Sequence, residues 1–257
     1  QLYHNKNALK SELTSFKVQK QRDLVETTTS LRIANEDLNR FAYAASHDLQ
    51  DPLRKIQSNI ELLEKKHGKE FSEDQQKYFE RVARAAGDMR NLIEDLLNYS
   101  RRSTETMTLL PRNLHKIVDE AIAEIVDKPG AGNGKFVNMV PKDMEIVADS
   151  KLLGFALDNL LDNAVKYARD GVPPDVCVSA VADSNNLSLC VADNGIGFDP
   201  EYAEQIFLPF VRLHGRSLYP GTGIGLSIVK KVAMRHGGTV GASPRGDQGA
   251  AFTMTLP

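Results

Sequence analysis

Residues 158–168 read DNLLDNAVKYA, and the spacing within them governs how the C-terminal half of the chain is read. Asn159 and Asn163 are four apart, so on a helix they share one face, with Lys166 a further turn along. Amide oxygens are hard ligands of the kind Mg²⁺ accepts while it keeps waters and shares phosphate oxygens. Lys166 could then offset phosphate charge. Standing alone, the same spacing also suits a polar helix face.

Two glycine-rich segments C-terminal to this helix narrow the choice. DNGIGF, residues 193–198, comes after a strand-like run, and GTGIGLS, residues 221–227, comes before a helical one. Gly195 and Gly197 permit close backbone approach, and Asp193 at a strand end can accept a hydrogen bond from a purine amino group. The glycines of the second box precede a helix whose N-terminus offers free N–H groups to an anion. Neither box is a Walker A loop, because no Gly-Lys-Ser/Thr follows. Neither opens a βαβ unit with a downstream ribose-binding acid, so a dinucleotide site is poorly supported. Two glycine boxes preceded by an Asn-bearing helix point to a nucleotide. The stretch between them contains Phe207, Pro209, Phe210, Arg212, His214, Arg216 and Tyr219, and its length without periodicity suits a lid. Phe207 and Phe210 read more readily as packing anchors than as ligand contacts.

Gly and Pro divide the chain. Residues 1–110 hold Gly68, Gly87 and Pro52, and residues 111–257 hold the other 16 of 18 glycines and 10 of 11 prolines. Both residues break helices, so the first part is predicted helical and the second mixed. In the first part Leu9, Leu13, Phe16, Lys20, Leu24, Leu31, Leu38 and Ala45 form one stripe, with a stutter at Lys20 that predicts a locally unwound coiled coil. HGKEFSEDQQ interrupts the pattern. Ser72 with Gln75 reads as a capping box opening a second helix, which carries Phe79, Val82, Ala86, Met89, Ile93, Leu96 and Leu97 and ends near Ser103. Two such helices form a hairpin with an apolar stripe on each, which a dimeric four-helix bundle would bury. The second part predicts a helix at 114–126, strands near 135–140 and 144–148, and a helix from 150 to 168. Paired strands in DVCVSAVA and LSLCVAD come next, then a helix over 222–236 and strands in GTVGA and AAFTMTL. Helices and strands without strict alternation imply an α+β sandwich.

Composition sets outer limits. The chain has 257 residues, 41% hydrophobic and 26% charged, which excludes disordered and collagen-like classes. Its 32 Lys+Arg and 34 Asp+Glu leave a net charge of −2, with no basic footprint for nucleic acid. No apolar run approaches the roughly 18–20 residues that cross a bilayer, and no secretory leader is expected. Cys177 and Cys190 sit in strand-like runs and form no metal-ligand cluster, so a reducing, cytoplasmic setting is expected. The chain opens on Gln1, which is read as the start of a fragment.

SHDLQDPLR, residues 46–54, places His47 beside Asp48 on the outside of the first hairpin helix. Pro52 lacks the N–H that would bond the carbonyl of Asp48, so it is expected to bend the helix there. A neutral imidazole whose other nitrogen is held by a carboxylate is a usable nucleophile. In isolation such a pair is usually just a solvated His–Asp neighbour.

Together these segments resemble the sensor histidine kinases. SHDLQDPL is similar to their H box, and DNLLDNAVKYA, DNGIGF, FLPFVRL and GTGIGLSIV resemble, in order, their N, first glycine, F and second glycine boxes. FAYAASHDLQDPLR is similar to phytochrome-like and PAS-linked members. The resemblance implies four regions. These are a coiled-coil signalling helix over 1–30, a dimerisation and histidine-phosphotransfer domain over 31–105, a linker at 106–111, and a catalytic ATP-binding domain of the Bergerat/GHKL type over 112–257. It implies ATP and Mg²⁺ as cofactors, a homodimer, a response-regulator partner, and a sensor module upstream of this chain. By the same resemblance His47 would receive the γ-phosphoryl group and Asp48 would orient or deprotonate it. Asn163 would bind Mg²⁺, with Asn159 on the phosphate side, and Lys166 and Tyr167 would contact phosphates or ribose. Asp193 would read adenine, and Gly195, Gly197, Gly221, Gly223 and Gly225 would shape pocket and lid. Thr222 and Leu226 fall within the second glycine box and join the ATP-binding set. Arg212 is the candidate for steadying the γ-phosphate, with Arg216 second.

One position departs from the family pattern. Many members that also act as phosphatases carry Thr or Asn four residues after the histidine, where this chain has Asp51, whose charge would oppose a partner's aspartyl-phosphate. Two other classes share parts of the pattern: an ATP-driven clamp of the GHKL type, and a catalytically silent dimeric adaptor. A clamp needs no phospho-accepting histidine, so its hydrolysis would survive His47→Ala. The stutter at Lys20 predicts that single-residue insertions and deletions there change kinase output with helical periodicity. A flat response across such a series, measured by autophosphorylation, would refute the coiled-coil reading.

Overall fold

The computed structural model describes residues 2–104, 106–128, 130–213, 215, 219, 221–246 and 249–257, with backbone alone for 2–15, 18, 31, 32, 35, 36, 38, 39, 41, 42 and 99–104. Side chains of Leu9, Leu13, Leu31 and Leu38 in the stuttered stripe, and all of His214 and Arg216, therefore lie outside the described residues.

Helix α1 runs unbroken over Leu2–His67 and includes Pro52. A 3₁₀ turn, Gly68–Glu70, leads to α2, Glu73–Thr104. The capping box forms as expected. Ser72 Oγ accepts the Gln75 N–H at 3.3 Å, and Gln75 Oε1 accepts the Ser72 N–H at 2.9 Å. Phe71 packs on Phe79 with ring centroids 5.4 Å apart, which closes the turn end of the hairpin. Leu53 of α1 is buried with Ala86, Ile93 and Leu97 of α2, and Ile60 packs against them. The predicted stripe of α2 thus divides between two faces. Ala86, Ile93 and Leu97 seal the hairpin, whereas Val82 and Met89 stay exposed, as do Leu49, Ile56 and Leu63 at seven-residue spacing on α1. A two-helix hairpin has one contact face per helix, so it cannot bury the second set.

Past the hairpin comes a two-layer α/β unit. Strand β1, Leu110–Asn113, pairs antiparallel with β3, Glu145–Ala148. The pairing begins at Leu110, inside the stretch read as linker, and Pro111 is tolerated because this small ladder has only two strands. Helix α3, Leu114–Val126, is capped by Asn113, whose side chain accepts the Lys116 N–H. The main sheet has the order β2-β4-β5-β7-β6, with β2, Lys135–Asn138, parallel to β4, Asp175–Ala182. The remaining strands are antiparallel: β5 (Leu187–Ala192), β6 (Thr239–Pro244) and β7 (Ala250–Leu256).

Alternation along the strands explains the layering, because successive side chains point to opposite faces. Val176, Val178, Leu189, Val191, Met254 and Leu256 face one side and are fully buried. Helices α3, α4 (Ser150–Lys166) and α5 (Gly225–Arg235) cover that side with Leu114, Val118, Leu153, Leu157, Leu161 and Val229. Cys177 and Cys190 fall on the other face, half-buried and unbridged. Leu157→Ala in the centre of this core is expected to cost about 2–5 kcal/mol by leaving a cavity. Val181→Ala, at an exposed position on β4, should stay within about 0.5 kcal/mol. Urea unfolding of the two variants tests the assigned core, and equal losses would contradict it.

Candidate functional site

Asp149 starts the helix on which the site is built. Its Oδ1 accepts the N–H groups of Lys151 and Leu152, both at 3.1 Å, so α4 begins with its free donors satisfied. Its Oδ2 accepts the Thr108 N–H at 3.0 Å, which ties the segment after the hairpin to the helix start. Its own N–H donates to His236 Nε2 at 3.1 Å, just past the end of α5. Burial pushes the Asp149 carboxyl up, but the bonds from Thr108, Leu152 and Lys151 outweigh it and hold the group below the usual carboxylate range.

Seven apolar residues of α4, from Leu152 to Ala164, are buried in the domain core. That packing leaves Asn159, Asn163 and Lys166 along the wall of a cleft. The cleft has two ends that share Asn163, Tyr167, Ile206, Val211 and Leu226. One end, about 590 Å³, is mainly apolar, lined by Phe198, Leu213, Ala250 and Phe252, with Gly197, Arg212 and a carboxylate, Asp193, among them. The other, about 690 Å³, is polar and adds Asn159, Asp162, Lys166, Gly221, Thr222, Gly223, Gly225 and Asp95.

Asp193 is 6% exposed. Its Oδ1 accepts the N–H of Gly195 at 2.8 Å and of Ala250 at 3.1 Å. Burial pushes its carboxyl above the ordinary value, and these two bonds and Arg245 only partly oppose it. Arg245 also donates to the Asp193 carbonyl at 3.1 Å, across from β6. Gly195 must lack a side chain, since a Cβ there would lie 2.5 Å from the Tyr167 carbonyl oxygen. The same carbonyl accepts the Ile196 N–H at 3.0 Å, so the first glycine box is stitched to the end of α4. Lys166 Nζ lies 4.6 Å from the Tyr167 ring centroid, and Tyr219 packs on that ring at 5.1 Å.

The lid splits the expected aromatic pair. Phe207 is an anchor at 4% exposure, whereas Phe210 is 57% exposed and adopts φ 66°, a left-handed conformation rare outside glycine. Its N–H donates to the Gly223 carbonyl at 3.0 Å, and Gly223 itself has φ 80°. Arg212 donates to the carbonyls of Gly221 and Tyr219.

His47 and Asp48 line neither end of this cleft. They stand on the outside of α1 with side chains 68% and 85% exposed, and His47 Nδ1 is 3.5 Å from Asp48 Oδ1, the long limit of a hydrogen bond. Asp51 is ion-paired with Arg54 at 2.9 Å. The cleft therefore gathers the residues expected to bind nucleotide, Gly195 apart, into one place and leaves the expected nucleophile on the hairpin. Sequence reasoning missed Asp95, Asp162, Phe198, Arg245, Ala250 and Phe252. Phe198 ends the first glycine box and Asp162 lies on α4 three residues past Asn159, so helical spacing could have found it, whereas Asp95, Arg245, Ala250 and Phe252 are brought there by sheet pairing or hairpin docking, which no local spacing signals.

A hairpin bearing an exposed histidine, joined to a glycine-lined cleft on an α/β layer, is matched by two families. Residues 37–105 match the His Kinase A (phospho-acceptor) domain, and residues 148–257 match the histidine kinase-, DNA gyrase B-, and HSP90-like ATPase. The chain holds the transmitter region of a sensor histidine kinase. The phytochrome-like protein Cph1 of Synechocystis is 31% identical over 97% of this chain, which covers 33% of that protein. The sensor protein KdpD of Escherichia coli is 32% identical over 85% of this chain and 24% of its own length. The chain thus spans a third or less of these two relatives. The crystal structure of full-length ShkA in complex with AMPPNP aligns with a TM-score of 0.62 at 25% identity, over 85% of this chain and 45% of that one. The mycobacterial sensor histidine kinase MprB aligns at 0.51 and 28% identity, over 58% and 97%. The α/β unit is thus an ATP-binding domain of the GHKL type. No helix among the described residues is long and apolar enough to cross a membrane.

The raised carboxyl of Asp193 has a consequence for stability. Its folded-state pKa lies above the unfolded 3.8, so its favourable contribution is present below 3.8 and lost as pH rises through the raised value. Asp193→Asn keeps an oxygen for Gly195 and Ala250 and removes the buried charge. Thermal melts should show the Asn variant gaining on the native chain as pH increases above 3.8. A deficit independent of pH would refute this assignment.

Proposed function

We propose that this chain is an ATP-dependent protein-histidine kinase that phosphorylates its own His47 and passes the phosphoryl group to an aspartate of a response regulator. The observation that carries this reading is the pairing, in one chain, of a solvent-facing His47 beside Asp48 with a cleft holding Asn163, Lys166 and buried Asp193. The apolar end suits a purine, with the Asp193 carboxylate as acceptor for an exocyclic amino group. Tyr167 and Leu226, shared by the two ends, would flank the sugar, and Asn159, Lys166, Thr222 and the glycines at 221, 223 and 225 would surround the phosphates.

The donor chemistry of the polar end fits Mg²⁺. Asn163 lines it, and Asn159 Oδ1 lies 2.8 Å from where a Cβ of Gly225 would stand, so a side chain at 225 would fill the space beside it. Asn163 would hold the ion, which supplies charge neutralisation for phosphate when bound. The chain's own part is nucleophile and positioning. His47, neutral, attacks the γ-phosphorus in line through one ring nitrogen, an N–P bond forms, and the bond to the bridging oxygen breaks to release ADP. Asp48 takes or holds the proton on the other nitrogen. Approach geometry and charge neutralisation supply most of the rate.

In the full reading, 1–30 is a signalling coiled coil fed by an upstream sensor, 31–105 the dimerisation and phosphotransfer domain, 106–111 the linker, and 112–257 the catalytic domain. The exposed Leu49, Ile56, Leu63, Val82 and Met89 support a homodimer that completes a four-helix bundle. Arg212 would turn from its present carbonyl partners to the γ-phosphate on closure of the lid. The Asp51–Arg54 pair puts charge rather than a neutral side chain one turn from His47, which favours kinase over phosphatase. The test is labelling with γ-³²P-ATP and Mg²⁺. Native chain should give an acid-labile, alkali-stable band that is lost in His47→Ala and in Asn163→Ala. ATP binding without label in the native chain would overturn the kinase in favour of an adaptor. Hydrolysis that persists in His47→Ala would favour a clamp.

A further inference from the structure

Asp95 belongs to α2, outside every motif of the nucleotide site, yet its carboxylate closes the polar end of the cleft. Thr222, in the second glycine box, donates its hydroxyl to Asp95 Oδ2 across the two halves of the chain. The bond sits within an apolar seat, because Leu96, the next residue of α2, and Met107 of the linker pack against the core of the ATP-binding domain. Burial pushes the Asp95 carboxyl above the ordinary value and Asp162 adds to the rise, which the Thr222 hydroxyl and Lys166 only partly oppose. Arg212 is meanwhile spent on the carbonyls of Gly221 and Tyr219. Thr222 and Lys166, two groups suited to a triphosphate, thus face an anion supplied by the chain itself.

We propose that Asp95 is an intramolecular competitor for the nucleotide's phosphates, a latch that holds the ATP-binding domain on α2 until ATP displaces it. The proposal rests on the reading of this cleft as the ATP site. A carboxylate and a triphosphate are both anions, and one Thr222 hydroxyl proton cannot serve both. Phosphate entry therefore breaks the bond to the hairpin, and hairpin docking in turn weakens nucleotide binding by the same factor, as linkage requires. The latch makes the upstream helix a control on nucleotide affinity. Any signal that moves α2 away from Thr222 raises the affinity for ATP without touching the pocket itself.

Calorimetric titration of the full chain with ATP and Mg²⁺, and separately with adenosine, tests this in the native protein, Asp95→Ala and Asp95→Asn. Asn keeps an acceptor but removes the charge. Circular dichroism establishes that both variants keep the native helix content. Both variants should bind ATP about tenfold more tightly, the middle of the range for coupled sites, and bind adenosine as the native chain does. Unchanged or weakened ATP binding would overturn the latch and leave the pocket assignment standing. Equal tightening for ATP and adenosine would also overturn it, since the effect would then not be exerted on the phosphates. Failure of all three proteins to bind ATP would remove the nucleotide reading, and the latch with it.

Discussion

The packing of α4 on the main sheet is the constraint on which the rest of the site depends. Leu152, Leu153, Leu157 and Leu161 turn one face of that helix into core, and a rigid helix then has no freedom over where its opposite face points. Asn159, Asn163 and Lys166 are held along the cleft by that geometry. The Tyr167 carbonyl at the helix end accepts from Ile196, so the first glycine box, and Asp193 with it, is placed by the same element. Asp149 does the equivalent work at the other end, where one carboxylate caps α4 and fastens Thr108 of the connection to the hairpin.

Charge is distributed unevenly between the two halves of the cleft, and this difference sorts their roles. The apolar end contains a buried carboxylate whose ionisation is penalised by burial, as suits the recognition role proposed for Asp193. The polar end mixes Lys166 with Asp162 of the same helix and Asp95 of α2, so part of its charge is supplied by the hairpin. The proposed nucleophile stays outside both. His47 is solvent-facing and weakly tied to Asp48, as suits the phospho-acceptor role proposed for it.

Local pattern was legible wherever the physics is local. The Ser72–Gln75 capping box, both ends of α3, the start of α4, the alternation of β4 and β5, and the Asn159–Asn163–Lys166 face could each be read from residue type and spacing. The glycine boxes were legible for a similar reason, since close approach at Gly195 and positive φ at Gly223 restrict the residue directly. Phe207 and Phe210 show where this stops. Two phenylalanines in one short motif read alike, yet one is core and the other is exposed in a left-handed conformation, because the turn at Pro209 sends them to opposite sides.

The sequence by itself therefore determined the helical hairpin, the α/β layer behind it, the order of the boxes and the histidine that stands apart from them. Hydrophobic periodicity, capping and backbone restriction all act within a few residues. Only the tertiary structure decided that Ala250 and Phe252 of the last strand wall the apolar end, that Arg245 steadies the Asp193 backbone, and that Asp95 enters the polar end. Those placements depend on strand order and on the docking of α2, which bring together residues as far apart in the chain as Asp95 and Thr222. No local spacing encodes such a contact, because its energy comes from surfaces that meet only after both halves have folded.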